Sequence, residues 1–549
     1  MIKSLNKIAI VLASALAVSC DFLDQKEYVY QSSEYQFSTF ENTEKVLSNV
    51  YGYLNKDLPW QYSTFSCATD EGSYAWDSNG IKAFYDGTWS PVSLVADNFS
   101  YYCNAITAAN YFLENVPDDF PDSKYVLDYA DRMIQLKNFP HEAKFLRAFF
   151  HFELLRRYNN IVILDRMLTP EEANSISPVD FQTAASWIAD ECDAVKDLLP
   201  DTYANFPTGR TNRVTKGAAM ALKSKVLLYA ASKLNNPDND KEKWEKAAAA
   251  AKELIDLNLY QLVDEEVVNN FDAKGYIFGV ITNASNSFES ANFPIGVEGG
   301  NSGCCPSQNL AEAFDLLDGT PFDWNNPDHR AVALDPSKRD PRFGKTLYVN
   351  GALFKGEPLE MFYGGQNALP KDGGTRTSYY QKKFCIEETS FVTGNSKSFT
   401  HVYPIFRYAE IFLNYAEALY EATSDPEFTG TLNGVDFTMS PLEAMNRVRQ
   451  RAGVGLVTDT GNFRERLRKE RMVELAFENQ RFWDVRRWCI GKQTEDIYGL
   501  SLTQNPDDGS ISMEKSVIQE HPWQDKYSYF PYSDAELVKN RHLIQNDGW

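Results

Sequence analysis

Over long stretches of this chain, apolar residues alternate at spacings of four and three, the signature of one face of an α-helix. From Val95 they fall at Phe99, Tyr102, Ile106, Ala109, Leu113 and Val116, which predicts one continuous stripe. Ser90-Pro91 offers this helix an N-cap and a first-turn proline, and Pro117 ends it. The same Ser-Pro start recurs at Ser177-Pro178, ahead of Phe181, Ile188, Cys192 and Val195, and at Ser440-Pro441, ahead of Leu442, Met445 and Ala452. After Pro140-His141-Glu142, a helical segment runs from Ala143 to Tyr158. There Phe145, Leu146, Phe149, Phe150, Phe152, Leu154 and Leu155 cover most of the circumference, so it must be buried on two sides.

The helix from Thr215 to Ser232 opens on Gly217, Ala218, Ala219 and Ala221, small residues that let a neighbour approach closely. Another holds Trp244, Ala248, Ala251 and Ile255. Such paired helices resemble tetratricopeptide hairpins. From Leu259 to Val402 the pattern changes, and Gly, Asn, Pro and Ser become dense over Asn283–Asn309 and Gly364–Thr377. A stretch of this length is more than a plain loop, and an irregular subdomain with functional loops is expected. Helices are expected to resume at Tyr403, with a stripe through Phe406, Ala409, Leu413, Ala416 and Tyr420. The fold class read here is mostly α: tetratricopeptide-like hairpins in a superhelical scaffold, with one long loop-rich subdomain.

The N-terminus changes the picture of where the chain works. Lys3 and Lys7 precede an apolar run from Ile8 to Val18 that is too short to span a bilayer, and Ala17-Val18-Ser19-Cys20 follows. This order reads as a secretory signal over residues 1–19 with lipidation at Cys20. An ordinary cleaved signal with Cys20 as a bystander is the plainer alternative. The chain has 549 residues and a net charge of −22, and the missing basic balance argues against a nucleic-acid partner. Aromatic residues make up 14%, a supply that suits both a core and flat platforms for sugar rings. Cysteine spacing offers no zinc motif, and the 8 cysteines become an odd set once Cys20 is lipidated.

A family resemblance then runs nearly the length of the chain. Cys20-Asp21-Phe22-Leu23-Asp24, Glu142-Ala143-Lys144-Phe145-Leu146-Arg147-Ala148 and Lys216-Gly217-Ala218-Ala219 with Lys225 and Tyr229 are similar to motifs of the SusD/RagB surface lipoproteins. So are Pro306-Ser307-Gln308-Asn309-Leu310, Arg407-Tyr408-Ala409-Glu410, Asn414-Tyr415-Ala416-Glu417-Ala418 and the stretch from Asn446 to Gly453. The closing match runs from Glu470-Arg471 to Arg487-Trp488. The resemblance implies an outer-membrane, cell-surface lipoprotein without cofactor. It implies capture of glycans or, in some branches, peptides, and closure as a lid over a SusC-like TonB-dependent transporter. It divides the chain into a lipidated tether over 20–34, helical regions over 35–258 and 403–549, and a ligand-binding subdomain over 259–402. Most of its motifs also read as structural: Glu470, Glu474 and Glu478 against arginines, with Glu417 and Arg449 as buried ion-pair members.

Catalytic signatures nearly appear and fail. His141-Glu142 lacks the second histidine of a zinc helix because position 145 is Phe145, and Arg339 stands where a phosphate loop ending at Gly344-Lys345-Thr346 needs glycine. A binding protein rather than an enzyme is expected, with a surface glycosidase the outlying alternative. The resemblance places the ligand on the N-terminal loops and the irregular subdomain. Trp76 and Trp89 are the candidate platforms, each with core packing as the alternative. Asp70, Asp77 and Arg376 are candidate hydroxyl partners, with Asn301 and Tyr403 in support. Cys304-Cys305 reads either as a vicinal disulfide offering an apolar face to a sugar or as two buried thiols. A similar combination in fructan-binding relatives makes a fructan the expected ligand.

Overall fold

The computed structural model describes residues 32–55, 65–121, 124–204, 212–263 and 268–549. The signal, Cys20 and most of the tether lie outside them. Helices of seven or more residues are numbered α1 Phe40–Gly52, α2 Phe99–Asn115, α3 Tyr129–Tyr158, α4 Phe181–Lys196, α5 Lys216–Ala231, α6 Lys241–Asp256, α7 Tyr408–Thr423, α8 Pro441–Ala452, α9 Phe463–Glu474 and α10 Arg481–Arg487. Strands of three or more are β1 Gly72–Tyr74, β2 Tyr276–Ile281, β3 Cys304–Pro306, β4 Val402–Arg407, β5 Gly430–Leu432, β6 Val435–Phe437, β7 Asp496–Gln504 and β8 Ile511–Glu520. No described helix is long and apolar enough to cross a membrane.

Helices α2 to α8 pack each on the next, which makes the superhelical row expected from the sequence. The pairing of α6 with α7 is the informative one, because the loop-rich stretch lies between them in sequence. That stretch is therefore an insertion inside a helix hairpin, and the hairpin still closes beneath it. Central in the row is α3, whose second half is buried almost all round. Phe145 meets Phe278 edge-on at 5.5 Å, and Phe149 meets Phe406 at 6.3 Å, so this helix also backs the β2–β4 sheet. Gly279 permits the pairing, since a Cβ there would lie 2.1 Å from the Tyr403 carbonyl oxygen.

Several helix boundaries differ from those expected. Ser440 does cap α8 through Glu443 N–H, with Pro441 in the first turn. Ser90-Pro91 instead forms a tight turn in which Ser90 and Ser93 exchange backbone hydrogen bonds, and α2 starts at Phe99. Asp180, not Ser177, caps α4. Tyr403 belongs to strand β4, and α7 begins only at Tyr408. The alternation of Tyr403, Ile405 and Arg407 with Val402, Pro404 and Phe406 is paired in the sheet before the helical stripe takes over. Beyond α10, the β7–β8 hairpin adds a long two-stranded ribbon to a region expected to be helical.

A buried seam of charge fixes the insertion to the helices. Glu474 takes Arg342 at 2.8 Å and Arg407 at 2.6 Å, and also pairs with Arg451. Glu470 takes Arg342 at 2.5 Å and Arg449 at 2.7 Å, while Glu478 takes Arg407 at 2.8 Å and Lys383 at 2.7 Å. These partners come from distant parts of the chain rather than from neighbouring turns of one helix. Burial pushes the Glu474 carboxyl up, but Arg451, Arg407 and Arg342 together hold it well below the usual carboxylate range. Glu417 accepts a fork of hydrogen bonds from Arg487, and Arg449 also reaches Asp315 at 2.8 Å.

Candidate functional site

Strand β1 carries the stretch with Trp76 to the insertion. It pairs antiparallel with β3 in the register Gly72 with Pro306, Ser73 with Cys305 and Tyr74 with Cys304. One step further, Ala75 N–H donates to the Gly303 carbonyl at 2.9 Å. Trp76 then emerges half-buried. Its indole stacks on Tyr74 with centroids 5.4 Å apart and planes 15° from parallel, and its Nε1–H donates to the Asn301 carbonyl at 2.7 Å. One ring face is thus stacked and the indole N–H engaged, while the side chain as a whole stays partly exposed. Asn301 is exposed and is itself held, its Nδ2 donating to the Ser290 carbonyl at 2.8 Å.

Beside this ring stands the Asp77–Arg376 ion pair, Nη2 to Oδ1 at 2.5 Å, with side chains 81% and 45% exposed. Arg376 sits on a stiff turn. Thr375 Oγ1 accepts from Thr377 N–H at 3.1 Å, and Tyr380 Oη accepts from Thr375 N–H at 3.2 Å. The β7–β8 hairpin braces this turn: Leu500 N–H donates to the Thr377 carbonyl at 3.2 Å, and Ser378 Oγ donates to the Leu500 carbonyl at 2.7 Å. Gly499 allows that approach, because a Cβ there would stand 2.7 Å from the Arg376 carbonyl oxygen. Trp76, Asp77, Asn301 and Arg376 are therefore brought together on rigid supports at one surface.

The other proposed contacts are buried. Trp89 is 2% exposed and lies among Phe84, Phe530, Tyr527 and Trp549, so the core-packing alternative holds for it. Asp70 is engaged by both arms of Arg481 at 2.8 Å and is not free for a hydroxyl pair. Tyr403 donates its hydroxyl to the Glu478 carbonyl at 2.7 Å, and burial raises its phenol well above the usual value. Cys304 and Cys305 are buried, each 1% exposed, and are not bonded to each other. Because β3 is extended, successive side chains point to opposite faces. Cys304 Sγ meets Cys67 Sγ at 2.7 Å, while Cys305 Sγ contacts the Ser302 carbonyl at 3.3 Å. The two neighbouring sulfurs thus diverge rather than closing a vicinal pair, and both are buried away from the surface. Burial pushes the Cys305 thiol up to about 12.

The residues around Trp76 outside the expected set come both from its own stretch and from the far end of the chain. Asn79 Nδ2 donates to the Trp76 carbonyl at 3.2 Å and to Tyr85 Oη at 2.9 Å. The Tyr85 ring stacks on His521 at 4.5 Å, and Ser73 Oγ donates to Gln519 at 2.7 Å. Behind this wall Glu71 is fully buried, and burial raises its carboxyl to about 8 against the weaker pull of Ser66 and Arg481. Among the described residues no group of His, Cys, Asp or Glu is arranged to hold a metal ion.

With this geometry established, comparison with known proteins decides the family. A model described as the SusD family matches residues 274–549. The chain belongs to the SusD family. A second model, described as starch-binding and associating with the outer membrane, matches residues 21–228. The candidate site of this SusD-family chain draws on both stretches, Trp76 and Asp77 from one and Asn301 and Arg376 from the other. SusD-like protein P2 of Formosa agariphila is 23% identical over 429 residues, covering 74% of this chain and 73% of its own. A crystal structure of a SusD-like protein from Bacteroides fragilis superposes with a TM-score of 0.74 at 26% identity, covering 94% of this chain and 98% of that one. A structure described as a laminarin-binding SusD-like protein superposes with a TM-score of 0.64 at 22% identity over 93% of this chain and 99% of that one. These likenesses bear out the family and the mostly helical, tetratricopeptide-like fold.

Proposed function

We propose that this SusD-family chain captures oligosaccharides at the Trp76 surface and releases them unaltered. The observation that carries the reading is the pairing of a braced, half-buried indole with an exposed guanidinium–carboxylate pair. A sugar ring presents flat C–H faces and vicinal hydroxyls. The indole meets the first, and the planar ends of Arg376 and Asp77 meet the second with paired hydrogen bonds. Because the Asp77–Arg376 pair is open to water, exchanging part of it for a ligand costs little. The matched description of starch binding and the laminarin-binding structural relative lend support.

In this reading the protein sits on the outer membrane facing outward, tethered through lipidated Cys20, and serves as the lid of a SusC-like TonB-dependent transporter. A fructan is expected in part on the strength of an exposed sulfur pair. Since both sulfurs are buried, the proposal stops at oligosaccharides. Affinity electrophoresis against a panel of polysaccharides tests the capture. Retardation by at least one glycan, with no shorter products released, is expected. Release of shorter products by the pure protein, abolished by one Asp or Glu substitution, would overturn binding without turnover.

A further inference from the structure

The thiol that faces Cys304 belongs to Cys67. Cys67 lies in a short 3-10 helix, Phe65–Ala68, just before β1, and is 1% exposed. Its Sγ stands 2.7 Å from Cys304 Sγ. Two unbonded sulfurs do not pack this closely, whereas a closed disulfide needs only roughly 0.65 Å of further approach, to about 2.05 Å. The neighbouring thiols have other partners: Cys305 Sγ faces the Ser302 carbonyl at 3.3 Å, and Cys385 Sγ the Gln381 carbonyl at 3.4 Å. Cys103 and Cys192 sit on the helices α2 and α4, away from this junction.

We propose that Cys67 and Cys304 are joined by a disulfide in the mature protein. The bond staples the stretch that carries Trp76 to the loop that carries Asn301, at the point where the two cross. It adds a covalent tie to the β1–β3 pairing, which consists of only three residues on each side. It closes a long loop, the case in which a cross-link most restricts the unfolded chain. It also holds the two halves of the candidate site in one geometry before any ligand arrives, lowering the ordering cost of binding.

The chemistry is a two-electron oxidation. Two S–H bonds break and one S–S bond forms. The two electrons and two protons pass by thiol–disulfide exchange to a disulfide-bearing oxidant of the cell envelope, whose own S–S bond becomes two thiols. The proposal rests on the export reading, because such a bond persists only outside the reducing cytosol.

The test uses the full-length protein from cells. It is alkylated before reduction, digested, and examined by mass spectrometry. The expected result is one linked peptide pair containing Cys67 and Cys304, two hydrogens lighter than its separate parts, with Cys305 alkylated once the protein is unfolded. Fractionation of the same sample tests export separately. Both cysteines alkylated in protein recovered from the outer membrane would overturn the disulfide and leave the export reading standing. A Cys304–Cys305 bond in that sample would overturn it equally. As a second readout, reductant is expected to lower the melting temperature of the wild type and to leave Cys67→Ser/Cys304→Ser unchanged. An equal response of both proteins to reductant would count against the bond.

Discussion

The same pairing of guanidinium with carboxylate occurs in this protein in two opposite settings. Under the insertion, Glu470, Glu474 and Glu478 meet Arg342, Arg407, Arg449 and Lys383 with almost no water. At the surface, Asp77 and Arg376 meet in the open. In the seam each of these carboxylates has two or three cationic partners, and losing one carboxylate strands them in a medium that solvates them poorly. At the surface water replaces either partner at little cost. The first arrangement holds the loop-rich insertion on its scaffold, and the second leaves its polar groups available. Trp89 and Trp76 repeat the contrast, one enclosed by rings and 2% exposed, the other only half-buried. A residue type that suits sugar binding is a ligand contact only where the fold leaves part of it open.

Substitutions that break this contrast should fall in a definite order. Glu474→Ala leaves Arg342, Arg407 and Arg451 without a shared carboxylate, and a loss of about 3–5 kcal/mol in urea unfolding is expected. A change under about 1 kcal/mol would show that the seam is not what holds the insertion. Trp89→Ala empties a packed aromatic cage and is expected to cost about 3 kcal/mol, with oligosaccharide affinity altered far less than stability. Loss of binding at full stability would return Trp89 to the ligand face.

Glu71 sharpens the comparison through pH. Its folded value of about 8 lies above the ordinary 4.5. The folded state therefore keeps a proton that the unfolded state loses, and stability falls as pH rises between those values. The slope approaches about 1.4 kcal/mol per pH unit from this one group. Glu71→Gln should flatten that decline in melting curves taken from pH 5 to pH 8, and an unchanged slope would place the titration elsewhere. Arg376→Met is expected to move stability by less than about 1 kcal/mol. A larger destabilisation would mean that the surface pair serves the fold.

Much of the helical row was legible because its stripes are long and its spacing regular, as in α2 and α7. The errors lie where local signals compete. Ser90-Pro91 satisfies a turn as well as a helix start, and Tyr403 belongs to both a strand alternation and a helical stripe. The β7–β8 hairpin does carry a local signal: Leu500 and Leu502 alternate with polar residues before Asp508-Gly509, and Ile511 and Met513 alternate after it. Burial at the site was not legible in the same way. Nothing local distinguishes Trp76 from Trp89, or shows that Asp70 will meet Arg481 and Cys304 will meet Cys67, because each partner comes from far along the chain. That the insertion interrupts a closed hairpin is likewise visible only once α6 and α7 are seen together.

In the proposed function the half-buried indole of Trp76, not the enclosed one of Trp89, is the platform for an oligosaccharide. Isothermal titration of Trp76→Ala with a glycan that retards the wild type tests it most directly. An affinity at least about tenfold weaker, a loss of roughly 1.4 kcal/mol or more, is expected at a melting temperature close to that of the wild type. Wild-type affinity in a folded Trp76→Ala protein would contradict it.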